Sequence, residues 1–491
     1  MYEKGRERAW LRWGSAIGAV LAVGCRSAPR GQAWLEVKSP HFDLYTDLEQ
    51  SAALDMAHAL EESRAVLVRV AWRAASDPQG RTQVAVFADE DRFHDYVPSA
   101  HTKGVAQSAV GMERLIATYW DEDRPSGLPR VAVHEINHDL SHWFIPLQPA
   151  WYSEGMASFM EGVQYDRATH RAILGEVPPT MARVLRTPGR TAGSIQQMFD
   201  APAAVSEDAW ATSRFYFTSW LLVHYLMNHQ DEPFAQFQRD LAALRDWREA
   251  WSDRFPKLGP AALDSSLEEY LDGGQFNYLV EQVDAPTFPP RVRTLSPAEG
   301  HGLSAWIAYR LGAEDLADEE SNTALALQHV ELNALRTRYQ SLRGPGRAKD
   351  RLALARQVVQ AYPESGEAWL LLARAGDSPD ERNRALTEAH QRMPDHPGVL
   401  ELLAEAALEA EDPSAAMQHT DLLVRRTVLS MQVASLRLRA LAMNGRCDEG
   451  RQVARSVAAT YPKSCTVSSN GATISCATYL ENLVRTRCPA E

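Results

Sequence analysis

Residues 134–138 of this 491-residue chain read His134-Glu135-Ile136-Asn137-His138, two imidazoles four positions apart with a carboxylate between them. On an α-helix, positions four apart share a face, so both imidazoles can reach a single metal ion. Glu135, one position on, projects beside them and can take a proton from a water activated at that metal. No proline or glycine interrupts residues 131–145, as a helix there requires. A catalytic zinc takes three protein ligands and keeps a fourth position open for water. The segment Trp151-Tyr152-Ser153-Glu154-Gly155-Met156-Ala157 supplies a candidate for the third.

H-E-x-x-H followed by W-x-x-E-G-x-A resembles the gluzincin metallopeptidases, and the second motif is most like that of the zinc aminopeptidases. The layout as a whole is similar to a bacterial family of exported, peptidase MA-like lipoproteins that often carry tetratricopeptide repeats. The resemblance covers residues 35–280 and is specific around 131–161. It implies that His134, His138 and Glu154 hold Zn2+, that Glu135 is the general base, and that the reaction is hydrolysis of peptide bonds in a peptide or protein substrate. Glu154 follows His138 by 16 positions, slightly closer than in the aminopeptidases, and a turn at Pro146 and Pro149 makes that distance workable.

A tetrahedral intermediate needs a donor for its oxyanion, and gluzincins often take a Tyr or His from a later helix. Tyr216, in the helical stretch 214–226, is the candidate here, with His224 and Tyr225 as rivals. Asp139 and Glu161 could orient the imidazoles, and spacing singles out neither. His142 lies one turn beyond His138, too far to bind the same metal, and is read as packing or as a partner of the ligands. Gly111-Met112-Glu113 resembles the aminopeptidase segment whose glutamate holds a free α-amine. Arg114 replaces the usual Asn, so the segment is read as the start of a strand and no exopeptidase activity is claimed. A rival of another class stays open: a non-catalytic interaction scaffold whose peptidase-like domain binds metal without turnover.

The elements that must position these groups are legible in outline. Residues 35–38, 42–45, 83–87 and 114–120 read as strands, and 52–72 carries apolar residues at helical spacing. From 131 to about 280 the patterns are mostly helical, interrupted by a Pro-, Gly- and Thr-rich loop at 177–194. Pro363, Pro394 and Pro462 each follow an apolar helical stretch, the last two 68 residues apart, twice a 34-residue period. With Trp369-Leu370-Leu371-Leu372-Ala373, this makes residues 347–462 resemble about three degenerate tetratricopeptide repeats, which imply recruitment of a protein partner or the substrate. The expected fold class is α+β: a gluzincin-like domain over 34–285, with a small mixed sheet lobe and a helical lobe. A helical connection at 286–346, the α-helical repeats at 347–462 and a cysteine-rich cap at 463–491 complete it.

Composition sets the outer limits. Apolar residues are 45% and charged residues 23%, ordinary for a globular protein and unlike a disordered or fibrous one. A net charge of −13 disfavours nucleic acid as partner. Basic residues at 4, 6, 8 and 12 precede an uncharged run at 13–24, too short to span a bilayer and typical of a secretory signal. The run ends in Leu21-Ala22-Val23-Gly24-Cys25, which resembles a bacterial lipobox, so 1–24 is expected to be removed and Cys25 lipidated, with 25–33 as linker. The mature chain then carries −15 and is held at a bacterial membrane, in the periplasm or at the cell surface, by that anchor only. In that compartment Cys447, Cys465, Cys476 and Cys488 favour disulfides. A hairpin about Asn470-Gly471 and helices at 448–460 and 477–487 disfavour pairing Cys447–Cys465 with Cys476–Cys488. Cys465–Cys476 with Cys447–Cys488 is preferred; the crossed Cys447–Cys476 with Cys465–Cys488 remains.

Overall fold

The structure, a computed structural model, describes residues 33–72, 78, 80–97, 104–107, 112–121, 127–185, 192–201, 209–427, 429–460, 465–469 and 472–488. The expected signal peptide, Cys25, Pro462 and the Asn470-Gly471 turn lie outside the described residues.

The first lobe comprises β1 (Leu35–Lys38), β2 (Phe42–Thr46), α1 (Gln50–Val66), β3 (Thr82–Phe87), α2 (Glu90–Tyr96), β4 (Gly104–Gln107) and β5 (Leu115–Tyr119). A single π-helical turn, Leu67–Ala71, continues α1 to the end of the expected helix. In β3 the run Val84-Ala85-Val86-Phe87 is wholly buried, as befits a central strand covered on both faces. Its neighbours β2 and β5 run parallel to it, while β4 lies antiparallel at the edge beside β5. Val84 and Val86 belong to the large core that also takes in α1, and Ala85 and Phe87 to the smaller one with Phe93 and Tyr96 of α2.

The second lobe holds α3 (Arg130–Phe144), α4 (Ala150–Met160), β6 (Gln164–Asp166), β7 (Arg171–Leu174), α5 (Pro179–Leu185), α6 (Ile195–Asp200), α7 (Ala209–His229), α8 (Asp231–Ala242), α9 (Trp247–Arg254), α10 (Pro260–Gly273), β8 (Leu279–Gln282) and β9 (Arg291–Thr294). Strands β6, β7 and β8 form a small separate sheet inside the region read as helical. β9 pairs with β1 and completes a six-stranded sheet ordered β4-β5-β3-β2-β1-β9, so the sheet draws on residues beyond 285. β6, β8 and β9 are short and mostly exposed, and therefore carry little of the apolar alternation that announces a strand.

The remainder is a helical array: α11 (Pro297–Leu311), α12 (Glu314–Leu327), α13 (Leu332–Ser341), α14 (Ala348–Ala361), α15 (Gly366–Ala375), α16 (Pro379–Arg392), α17 (Pro397–Glu409), α18 (Pro413–Arg426), α19 (Met431–Met443) and α20 (Cys447–Thr460). Prolines punctuate it. Pro297, Pro379 and Pro413 open helices behind the side-chain caps Ser296, Ser378 and Asp412, whereas Pro363 and Pro394 stop the chain just past α14 and α16. The array closes with the hairpin β10 (Thr466–Ser469) and β11 (Ala472–Ser475) and with α21 (Cys476–Arg485). Disulfides join Cys447 to Cys488 and Cys465 to Cys476, with Cα atoms 5.7 and 5.5 Å apart. Among the described residues no helix is long and apolar enough to cross a membrane.

Candidate metal centre

Helix α3 buries Ala132, Val133, Ile136 and Leu140, which turns His134 and His138 together toward α4. Helix α4 crosses α7 at Gly155, where an added Cβ would lie 2.5 Å from the Ser219 carbonyl oxygen. The glycine beside Glu154 thus lets two helix backbones approach, bringing Glu154 of α4 and Tyr216 of α7 to one place. Trp151, three residues earlier, anchors α4 among Phe199, Phe237, Trp247 and Trp251.

The two imidazoles converge on one carboxylate oxygen. Nε2 of His134 lies 3.2 Å and Nε2 of His138 3.4 Å from Glu154 Oε2. A tetrahedral zinc with bonds of 2.0–2.1 Å separates its ligand atoms by roughly 3.3–3.4 Å. Two imidazoles and a carboxylate are also a donor set that zinc takes. The other ring nitrogens are committed elsewhere: Nδ1 of His134 donates to Glu161 Oε1 at 2.7 Å, and Nδ1 of His138 faces Ser153 Oγ at 3.0 Å. The Glu161 carboxylate, which can only accept, fixes the tautomer that leaves His134 Nε2 for a metal, and the Ser153 hydroxyl is able to accept from His138 Nδ1 in the same tautomer. The residues present therefore fit a zinc ion.

Without metal, the same contacts trap a proton. Burial works against charge on His134, but hydrogen bonds to Glu154 and Glu161 overcome it and raise the imidazole to about 10. Burial likewise opposes the Glu154 charge, yet the two histidines hold its carboxyl well below the usual range. A metal must displace that proton as it binds. Burial, the Glu154 charge and a hydrogen bond to Glu154 push the Tyr216 phenol well above its ordinary value, so it stays protonated. Its ring centroid is 6.3 Å from that of His134. Glu135 is half-buried, and its charge reaches Tyr216.

Other residues singled out by sequence lie apart from this cluster. Asp139 accepts from Thr82 and, at 3.1 Å, from Arg114, on the side of α3 that faces the sheet; of the two orienting candidates, Glu161 is the one in contact. His224 sits in an aromatic pocket, bonded to the Tyr270 hydroxyl and the Gly175 carbonyl, and Tyr225 packs on Tyr270. His142 donates to the His138 carbonyl at 2.7 Å; burial and the Arg114 charge push it down to about 3, so it packs as a neutral ring. Glu113 precedes β5 and accepts from Gln83, away from the imidazoles. Ser153 escaped the sequence reading, since a serine inside a motif carries no distinctive spacing. Glu161 and Asp139 are both candidates by sequence, with no rule to choose between them, and the choice falls to Glu161 because it lies two turns after Glu154 on the same side of α4, facing His134.

No family model and no curated protein matches the chain.

Proposed function

We propose that the chain is an exported, lipid-anchored zinc metallopeptidase of the gluzincin type whose helical array is tetratricopeptide-like. The observation that carries this reading is the convergence of His134 Nε2 and His138 Nε2 on Glu154 Oε2, at separations a tetrahedral ion requires. His134, His138 and Glu154 would hold Zn2+, which when bound would supply Lewis acidity to activate a water and polarise a carbonyl. Glu135 takes the proton of the attacking water and hands it to the leaving amine. Tyr216, kept protonated, donates a hydrogen bond to the carbonyl oxygen as charge grows there. Glu161 holds His134 in its working tautomer, and Ser153 orients the His138 ring through Nδ1. Two disulfides suit an oxidising compartment, in keeping with the lipobox-like sequence at Cys25.

The test pairs metal analysis of the purified protein with a peptide-library cleavage assay of wild type and Glu135→Gln. One zinc per chain and cleavage that falls at least ~100-fold in Glu135→Gln, with zinc retained, is the expected result. Zinc with no cleavage by either protein would replace the enzyme with the scaffold; no zinc would remove the centre.

A further inference from the structure

The helical array does more than follow the lobe that carries the metal centre; it grips the helix pair that supplies the ligands. Helix α18 packs directly on α3. Arg425, at its end, donates from Nη1 to the carbonyl of Trp143 at 3.1 Å. Trp143 is the penultimate residue of α3, so this is a carbonyl the helix cannot satisfy itself, capped by a cation at the negative end of the helix dipole. Arg426 lays its guanidinium 4.7 Å from the centre of the Trp143 ring and pairs with Asp395 at 3.0 Å. It fills space that only a glycine leaves: a Cβ at Gly80 would lie 1.7 Å from Arg426 Nη1.

A second grip lies at the turn between α3 and α4. Leu147 belongs to the apolar cluster of the array, among Leu400, Leu423, Leu438, Val453 and Val457, and is only 9% exposed. Farther along, Gln452 of α20 donates to the Leu244 carbonyl in the α8–α9 loop at 2.7 Å. The turn at 145–149 joins the helix that carries His134 and His138 to the helix that carries Glu154. Its conformation therefore contributes, alongside the Gly155 crossing and the Trp151 packing, to how far Glu154 Oε2 stands from the two Nε2 atoms.

We propose that the array is a built-in brace of the metal centre, with Leu147, Arg425 and Arg426 as positioning residues that hold α3 and α4 at the ligand spacing. The inference rests on the metal reading above for its consequence, and on the packing alone for its mechanism. Part of the array surface is thereby committed within the chain and closed to any recruited partner.

The experiment uses the full chain with Arg426→Ala, Leu147→Ala and the milder Arg425→Gln, and Arg439→Ala, exposed on α19 away from α3, as control. Three readouts are taken: zinc affinity by chelator competition, the visible spectrum of the Co2+-substituted protein, and hydrogen exchange across residues 140–152 without metal. Arg426→Ala and Leu147→Ala should each weaken zinc roughly 10-fold, shift the cobalt bands and speed exchange in that segment, while α11–α16 exchange as in wild type. Arg425→Gln should move all three in the same direction but less, and Arg439→Ala none. If a stronger variant fails to fold, Arg425→Gln decides. Wild-type behaviour of the folded variants in all three readouts overturns the brace. If wild type itself binds no metal, the metal reading falls and the exchange of 140–152 alone decides: unchanged exchange overturns the brace, faster exchange supports it.

Discussion

Glu161 offers the sharpest probe of the proposed metal centre, because its side chain has one evident task. It stands just past α4, two turns from Glu154, so that one helix presents a carboxylate to each nitrogen of His134. Its main chain is occupied independently, the N–H with Ala157 and the carbonyl with Arg130, so substitution leaves the helix end intact. A hydrogen bond to a charged partner contributes about 1.5–3 kcal/mol and one between neutral groups about 0.5–1.5. Glu161→Gln keeps an acceptor but loses the charge, a difference of about 1–1.5 kcal/mol, or roughly 5- to 12-fold in zinc affinity. Glu161→Ala removes the acceptor and should cost roughly 10- to 100-fold, the usual effect of losing the partner of a metal-bound histidine. Competition with a chromogenic chelator at neutral pH measures both, with thermal melts of the metal-free proteins to verify the fold. Because Glu161 also helps hold the proton that zinc displaces from His134, the comparison is extended over a range of pH, and zinc affinity in Glu161→Ala equal to wild type with an unchanged pH dependence would refute the reasoning.

Tyr216→Phe should lower kcat on a cleaved peptide roughly 100-fold, as loss of an oxyanion donor does, while zinc affinity moves less than about 3-fold; unchanged kcat would return Tyr216 to packing. Gly155→Ala places a methyl 2.5 Å from the Ser219 carbonyl, forcing α4 and α7 apart at a cost of about 1–3 kcal/mol, to be seen as a lower melting temperature together with weaker zinc binding. His224 is held down to about 4, chiefly by burial, so the folded state takes up its proton less readily than the unfolded chain near 6.5. Its contribution is therefore complete above pH 6.5 and declines as pH falls toward about 4, by up to roughly 3 kcal/mol. Urea unfolding at pH 7 and pH 4.5 should show a smaller acid loss in His224→Gln than in wild type.

What could be read in the sequence is what short-range periodicity encodes. The H-E-x-x-H helix, the central strand at 83–87 and the proline-punctuated helices are local patterns whose side chains carry their own signal. β9 illustrates the opposite case: Arg291-Val292-Arg293-Thr294 has one half-buried side chain, and only its pairing with β1, more than 250 residues earlier, makes it a strand. The site divides in the same way. His134, His138 and Glu154 sit in motifs with chemical reasons for their spacing, whereas Glu161 is one of two orienting candidates between which spacing does not choose. Ser153 and the Gly155 crossing depend on how α4 meets its neighbours, which no residue type announces.

Leu147 makes the same point where it matters most for function. In Pro146-Leu147-Gln148-Pro149 a lone leucine between prolines reads as a surface turn, and exposed single apolar residues need no explanation. Its burial comes from helices some 250–340 residues later in the chain. A metal centre demands that three ligand atoms be held within a few tenths of an ångström, and a short turn between two helices lacks the stiffness to do this unaided. Anchoring that turn in a separate, disulfide-closed core supplies the stiffness from outside the ligand helices. In the proposed centre the motif residues then specify the chemistry, while a distant part of the chain, through its contacts with Leu147 and Trp143, sets how tightly they are held.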